Sequence, residues 1–212
     1  MNYRIAIGSR TRFYFRNRID KIRLTDTNFS IITNQCMGGI IYHDLGLPFR
    51  SPTINLKILP DDFIIFIENL KEYLSLDITE VEDDSVNYPV GILEGSHGPV
   101  TLWFVHYSSF DEAVNCWNSR KGRVNFDNIR VMMTIRDGCK QDTIDRYERL
   151  GYAHKVMFAN EPHPECSCSV HSRLPSGKPL PGYISDVINV FGKRAYECGF
   201  DYIRFLNGKE DE

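Results

Sequence analysis

The chain holds no run approaching the roughly 18 consecutive apolar residues that a membrane span needs. Its opening, "MNYRIAIGSRTRFYFRNRIDKIRL", lacks a long apolar core before a small-residue cleavage site, so the sequence reads as carrying no secretory signal. Without export, the six cysteines read as reduced thiols rather than as a disulfide framework. There is no Gly-x-Gly-x-x-Gly and no Walker A pattern, which leaves dinucleotide and P-loop chemistry unsupported. No Asp-x-Asp occurs either, which weakens a metal-dependent nucleotide-sugar reaction. Internal repeats and low-complexity segments are also missing.

What remains is the composition of a globular protein. Of 212 residues, 42% are hydrophobic and 25% charged, with 13 Phe and 11 Tyr, enough to build a sizeable core rather than a disordered chain. The net charge of −3 hides an asymmetry. Six Arg and one Lys face only Asp20 within residues 1–23, a local +6, so the remainder carries −9. Arg10, Arg12, Arg16, Arg18, Lys21 and Arg23 interleave with Phe13, Tyr14, Phe15, Ile19 and Ile22. Such a segment suits an anionic membrane surface or a polyanion, although a first helix with a solvated basic face is the commoner outcome. The acidic remainder argues against general nucleic-acid binding.

Residues 10–24 read as a helix and "NFSIIT" (28–33) as a buried strand. Gly38 and Gly39 open a short helix that stops near Gly46, and Pro48 and Pro52 keep the following segment a loop. Proline and two carboxylates at 60–62 start a helix over 61–75, with Phe63, Phe66, Ile67, Leu70 and Leu74 at helical spacing. Residues 80–87 are an acidic connection, and 88–107 a hairpin. Ser109 with Glu112 is a capping box for the next helix. Strands at 129–135 and 154–159 flank a helix at 142–150. Residues 160–182, rich in Pro, Ser and Gly, are long for a loop, and the last thirty residues look helical, with Val187, Val190, Phe191, Ala195 and Tyr196 on one side. The pattern predicts an α/β fold: a three-layer α/β/α sandwich with a mixed, mostly parallel sheet, the hairpin supplying the antiparallel part. Its expected divisions are a basic N-terminal helix (1–24), an α/β core (25–160), and a loop with a C-terminal helical segment packed on the core (161–212).

Three polar sites follow predicted strands: Asn34-Gln35-Cys36, His106 and Asp137. If those strands are parallel, all three open onto one sheet edge, where ligands gather in such folds. A thiol at a helix N-terminus has a lowered pKa, and N–H groups at Met37, Gly38 and Gly39 would hold an oxyanion. With His106 as base and Asp137 orienting it, these are materials for acyl transfer through a thioester. Each also has a plain structural use: a buried small residue, a histidine bonded to a carbonyl, and an Asp-Gly turn. His43 is an alternative base. "HPECSCSVH" (163–171) sets two histidines and two cysteines within nine residues. Its inner pair is Cys-x-Cys rather than the Cys-x-x-Cys of zinc knuckles, so it reads as a polar loop and no metal site is assigned. Trp117, Arg120, Lys121, Arg123, Asn125 and Asn128 form a basic-aromatic stretch suited to a sugar face and a phosphate or carboxylate, or simply to the cationic end of a helix. Cys116 and Cys198 read as packing residues of helices.

"FSIITNQCMGG", "GLPFRSPT", "DDFIIFIENLKEYL", "YPVGIL", "VHYSSFDEAVNCWNSRKGRVNFDNI" and "RDGC" together resemble a bacterial family of unknown function, family 1919, often labelled an exopolysaccharide or capsule biosynthesis protein. The resemblance runs over about residues 18–160, in order and with similar spacings. It falls on Asn34, Cys36, Gly38, Gly39, Ser51, Pro52, Thr53, His106, Tyr107, Trp117, Arg120, Arg123, Asn128, Asp137 and Gly138, and it implies a three-layer α/β protein working on cell-surface polysaccharide. The Asn-x-Cys-x-Gly turn is also similar to that of a capsule acetyltransferase family that binds coenzyme A, with one extra residue here between Asn and Cys. The expectation is a cytoplasmic transferase, peripheral at the inner membrane through residues 4–23. Its acceptor would be a polysaccharide or lipid-linked sugar, and its donor acyl-coenzyme A or a nucleotide sugar. Cys36, His106 and Asp137 would be catalytic; Asn34, Gly38, Gly39, Ser51, Thr53, Trp117, Arg120, Arg123 and Asn128 would bind substrate. A nucleotide-sugar glycosyltransferase and a non-catalytic binding protein of the polysaccharide machinery are the alternatives.

Overall fold

The computed structural model describes residues 3–135, 138–172, 184 and 187–209. A helical N-terminal stretch comprises α1 (Tyr3–Thr11), a π-helical turn (Arg12–Arg16) and α2 (Asn17–Arg23). Then come β1 (Ser30–Thr33) and α3 (Met37–Leu45), which ends where Gly46 turns left-handed at φ 68°. The expected helix over 61–75 is two helices, α4 (Pro60–Glu68) and α5 (Leu70–Ser75), separated at Asn69, whose φ of −122° and ψ of 34° lie outside the helical region. Three strands follow, β2 (Thr79–Val81), β3 (Val90–Gly95) and β4 (Gly98–Trp103). Helix α6 (Phe110–Lys121) starts at Ser109, whose hydroxyl accepts the Glu112 N–H as the capping box requires. The rest is β5 (Ile129–Thr134), α7 (Gln141–Arg149), β6 (Lys155–Ala159), β7 (Ser169–His171) and α8 (Tyr202–Leu206).

β1, β5, β6 and β7 form one four-stranded sheet in the order β1-β5-β6-β7, every neighbouring pair parallel. The period-2 alternation of these strands divides the core. Ile32, Val131, Met133, Met157 and Ala159 face a layer that includes Phe63, Phe66, Ile67, Trp117, Ile144 and Tyr147. Ile31, Met132, Val156 and Phe158 face Met37, Ile41, Tyr42, Tyr196, Tyr202 and Leu206. This is an α/β fold with packed layers on both faces of a central sheet.

Three expectations need correction. The hairpin does not join the parallel sheet; it pairs with β2 in a separate antiparallel sheet, β2-β3-β4. The free edge of β4 is closed by the segment after α3: Lys57 and Trp103 exchange both backbone hydrogen bonds, at 2.8 and 2.9 Å. The segment 160–182 is not all loop, because Ser169–His171 pairs with β6 as a fourth strand; residues 173–183 lie outside the described residues. The C-terminal stretch is not one helix. Glycines at positive φ, Gly192 (76°) and Gly199 (85°), turn the chain, leaving a 3-10 turn (Ala195–Glu197) and the short α8. Ala195 and Tyr196 are buried while Phe191 is 77% exposed, so these residues do not share a face.

Charged groups are buried where the two ends of the chain meet. Arg12 is 2% exposed; its Nε donates to Asp44 at 2.6 Å and its Nη1 to the Gly192 carbonyl at 2.8 Å and to Glu197. Arg194 donates to the same Asp44 at 3.0 Å, and Asp20, fully buried, accepts from the Tyr202 hydroxyl at 2.8 Å. Arg12 and Arg16 turn inward while Phe13, Tyr14 and Phe15 are 59–68% exposed.

Candidate functional site

β1, an edge strand of the parallel sheet, delivers Asn34, Gln35 and Cys36 to the sheet's carboxyl edge, directly before α3. Cys36 occupies the N-cap position with helical dihedrals (φ −63°, ψ −7°), and the first helical bond runs from the Ile40 N–H to its carbonyl at 3.2 Å. The N–H groups of Met37, Gly38 and Gly39 therefore head the helix beside the thiol. Cys36 is half-buried, with its Sγ 3.8 Å from the Leu56 carbonyl oxygen. Asn55 is the one described non-glycine residue at positive φ (63°), and its Oδ1 lies 3.8 Å from where a Cβ on Gly39 would sit. Asn tolerates this conformation at modest cost. No pattern in "SPTINLK" singled it out.

Several expected ligand-binding residues serve the framework instead. A Cβ on Gly38 would come 3.1 Å from the Thr33 methyl, and one on Gly39 3.0 Å from Ile54. The glycine pair thus lets α3 lie close against β1 and the 51–58 segment. Asn34 continues the parallel ladder past the strand: its amide donates to the Thr134 carbonyl and its Oδ1 accepts the Thr134 N–H, both at 2.9 Å. Thr53 Oγ1 accepts the Thr33 N–H at 3.1 Å and contacts Ser51 Oγ at 3.0 Å; both residues are fully buried.

The triad's premise of one shared sheet edge does not hold for His106. It is exposed, in a turn after β4, and β4 belongs to the antiparallel sheet. Asp137 lies outside the described residues. His43 is exposed on α3. The proposed acceptor-holding set is likewise dispersed. Trp117 is 1% exposed, packed on Phe66 at 6.1 Å, and presents no surface to a ligand. Arg123 folds back onto Ser119, at 3.1 and 3.2 Å. Asn128 precedes β5 and so lies at the amino edge, opposite Cys36, where it bonds Asp26 at 2.8 Å and Arg130 at 2.6 Å. Arg120 alone turns toward the segment after α3. It donates to the Tyr107 hydroxyl at 2.5 Å and lies over the Phe49 ring at 5.1 Å, while Tyr107 donates to the Ile54 carbonyl at 3.0 Å.

The other thiols differ among themselves. Burial, with Asp61 nearby, pushes Cys139 up to about 11, which leaves it protonated at neutral pH. Cys116 is half-buried on α6, and Cys198 follows the 3-10 turn rather than sitting in a helix. In "HPECSCSVH" the histidines point to other partners, His163 to Glu165 at 2.9 Å and His171 to the Asn160 carbonyl at 2.9 Å. The two sulfurs, Cys166 Sγ and Cys168 Sγ, are 3.4 Å apart.

Among the described residues no helix is long and apolar enough to cross a membrane. Residues 7–207 match the model of a family described as "Domain of unknown function (DUF1919)". An uncharacterized protein of Haemophilus influenzae is 33% identical over 202 residues, which span 95% of each chain. On a match over nearly its whole length, this chain belongs to the DUF1919 family.

Proposed function

We propose that the protein is a cytoplasmic, cysteine-dependent transferase that modifies a cell-surface polysaccharide or its lipid-linked precursor. The observation that carries this reading is the placement of Cys36: partly exposed, at the head of α3, beyond the carboxyl end of β1, an edge strand of the parallel sheet. A helix N-terminus favours the thiolate, and the leading N–H groups are oriented for a developing oxyanion. In the step proposed, the Cys36 thiolate attacks the carbonyl of an acyl thioester and the donor's thiolate leaves. A sugar hydroxyl then takes the acyl group, passing its proton to solvent or a base, and the Cys36 thiolate returns. His106 has no part in this reading, because it stands on another sheet. The glycosyltransferase alternative loses Asp127, which is exposed at the amino edge before β5. The polysaccharide assignment is supported by the likeness of the family's motifs to proteins so labelled. The outward-facing Phe13, Tyr14, Phe15, Ile19 and Ile22 among exposed Arg10, Arg18 and Lys21 suit a peripheral stay on an anionic membrane.

The test is alkylation of each cysteine by iodoacetamide against pH, followed by mass spectrometry on the native protein. Cys36 should react faster than the other thiols, with an apparent pKa below the roughly 8.5 of a free thiol. A rate no greater than that of a model thiol would remove the catalytic reading. It would favour a binding protein in which Cys36 only begins a helix, a view already supported by the structural uses of Gly38, Gly39, Asn34, Ser51 and Thr53.

A further inference from the structure

Helix α7 and the β6–β7 connection meet at a group of three potential metal ligands. Glu148 projects from the last turn of α7, and Cys166 and Cys168 from the Cys-Ser-Cys turn before β7. One ligand atom from each lies within 4.8 Å of the other two. The sulfurs are 3.4 Å apart, and Cys168 Sγ is 3.7 Å from Glu148 Oε2. Bond lengths of roughly 2.3 Å to sulfur and 2.1 Å to oxygen, at tetrahedral angles, put two sulfurs about 3.8 Å apart and sulfur and oxygen about 3.6 Å apart. Two of the three spacings therefore already stand close to those a tetrahedral ion requires, and the third is within 4.8 Å.

The surroundings hold this arrangement in place. Ser167, between the two cysteines, donates its N–H to Glu148 at 3.1 Å and its hydroxyl at 2.7 Å, which locks the turn against the carboxylate. A carboxylate has about four acceptor positions, so these bonds leave room for a metal. Cys166 is buried and Cys168 half-buried, which shields the sulfurs while leaving a way in. The Lys155 ammonium is anchored alongside, bonded to the carbonyls of Glu148 and Leu150. Two thiolates and a carboxylate, set against a divalent ion and one ammonium, leave no net charge in the half-buried site.

We propose that Glu148, Cys166 and Cys168 bind a thiophilic divalent cation of the zinc class, with the fourth position taken by solvent. Mixed thiolate and carboxylate donors at tetrahedral spacing suit zinc rather than calcium or magnesium. The ion ties the end of α7 to the turn that leads into the edge strand β7. The site shares no residue with the Cys36 reading and stands or falls separately from it.

The experiment is a cobalt(II) titration of the full chain, reduced and freed of metal by a chelator. One equivalent should produce a sulfur-to-cobalt charge-transfer band in the near ultraviolet and the visible bands of tetrahedral cobalt. Zinc should bleach both and raise the melting temperature. Cys168→Ser should lose the charge-transfer intensity. Glu148→Gln should bind about tenfold or more weakly, since even outer-shell changes cost 10–100-fold, and Cys116→Ser should behave as the parent. Because Cys166 is buried, the half-exposed Cys168 and Glu148 variants, with folding checked by circular dichroism, decide the matter. Absence of a thiolate band in the parent protein, or its persistence in Cys168→Ser, overturns the proposal. So does ready oxidation of the pair to a disulfide in protein that takes up no metal, which would make the turn a redox dithiol.

Discussion

The two faces of the parallel sheet are packed by different means. On one, Ile32, Val131, Met133 and Met157 meet α4, α5, α6 and α7 through aliphatic and aromatic side chains. On the other, a smaller apolar cluster is crossed by ionised groups: Arg12, Asp20, Asp44 and Glu197, each no more than 5% exposed. An apolar contact is non-directional and loses stability in proportion to what is removed. A buried charge carries a large desolvation cost and is tolerable only with its partners in place. One face should therefore respond to damage gradually and the other steeply.

The largest effect should come from Arg12→Ala, which strips Asp44 and Glu197 of a shared cation. About 3–5 kcal/mol of destabilisation is expected in urea unfolding. A loss below about 1 kcal/mol would mean that the network is solvated and that the contrast between the faces is false. Acid should separate the faces next. Burial alone would raise the Asp44 carboxyl, but Arg194 and Arg12 outweigh it and hold Asp44 below its ordinary 3.8. A carboxyl lowered in the fold stabilises above its unfolded pKa, and that contribution disappears as pH falls through the folded value. Glu197 behaves oppositely: burial outweighs Arg12 and Arg16 and raises it above 4.5, so its contribution weakens as pH rises. Asp44→Asn should then be less stable than the parent at neutral pH, with the gap closing below about pH 3.8 when melting is followed against pH. A gap that stayed constant would show that Asp44 titrates normally. On the apolar face, Ile67→Val should cost only about 0.5–1.5 kcal/mol. Its effect should add to that of Arg12→Ala within about 0.5 kcal/mol, because the two sites lie in opposite layers. The smallest change belongs to Arg146→Met. The Arg146–Glu68 pair is about one-third exposed on each side, and its loss should register at or under about 1 kcal/mol.

The apolar face is also the legible one. Short, largely apolar runs in β1, β5 and β6, buried on both faces, and helical spacing in 61–75 and 110–121 report burial directly. Ser109 and Gly46 mark helix ends through local chemistry that does not depend on the rest of the chain. The hairpin's membership of a second sheet was not legible, since it turns on a pairing of Lys57 with Trp103, 46 positions apart in the numbering. "SVH" gave no strand signal, being three residues long and partly polar. Arg12 read as part of a solvated basic face, for sequence alone does not reveal a partner 185 residues away. At the site, Cys36 was found correctly at a carboxyl edge. The framework bonds of Asn34, Ser51 and Thr53 were not legible, because a polar residue beside a strand looks the same whether it serves a ligand or a neighbouring backbone. Trp117 looked available because it opens the basic stretch 117–130, yet it belongs to the apolar face of α6 and fills the core.

The bond between Arg12 and Glu197 has a consequence in time as well as in space. The ribosome makes Arg12 185 residues before Glu197, so the helical stretch around Arg12 emerges long before the groups that neutralise its inward side. Contacts so distant in sequence close late. During translation the basic, aromatic helix has Asp44 to meet but not Glu197 or Tyr202, and its docking completes only after residue 202 has left the exit tunnel. A nascent chain stalled short of residue 197 would thus present that helix with both its sides exposed, the form in which it should be most prone to stick to chaperones or to lipid.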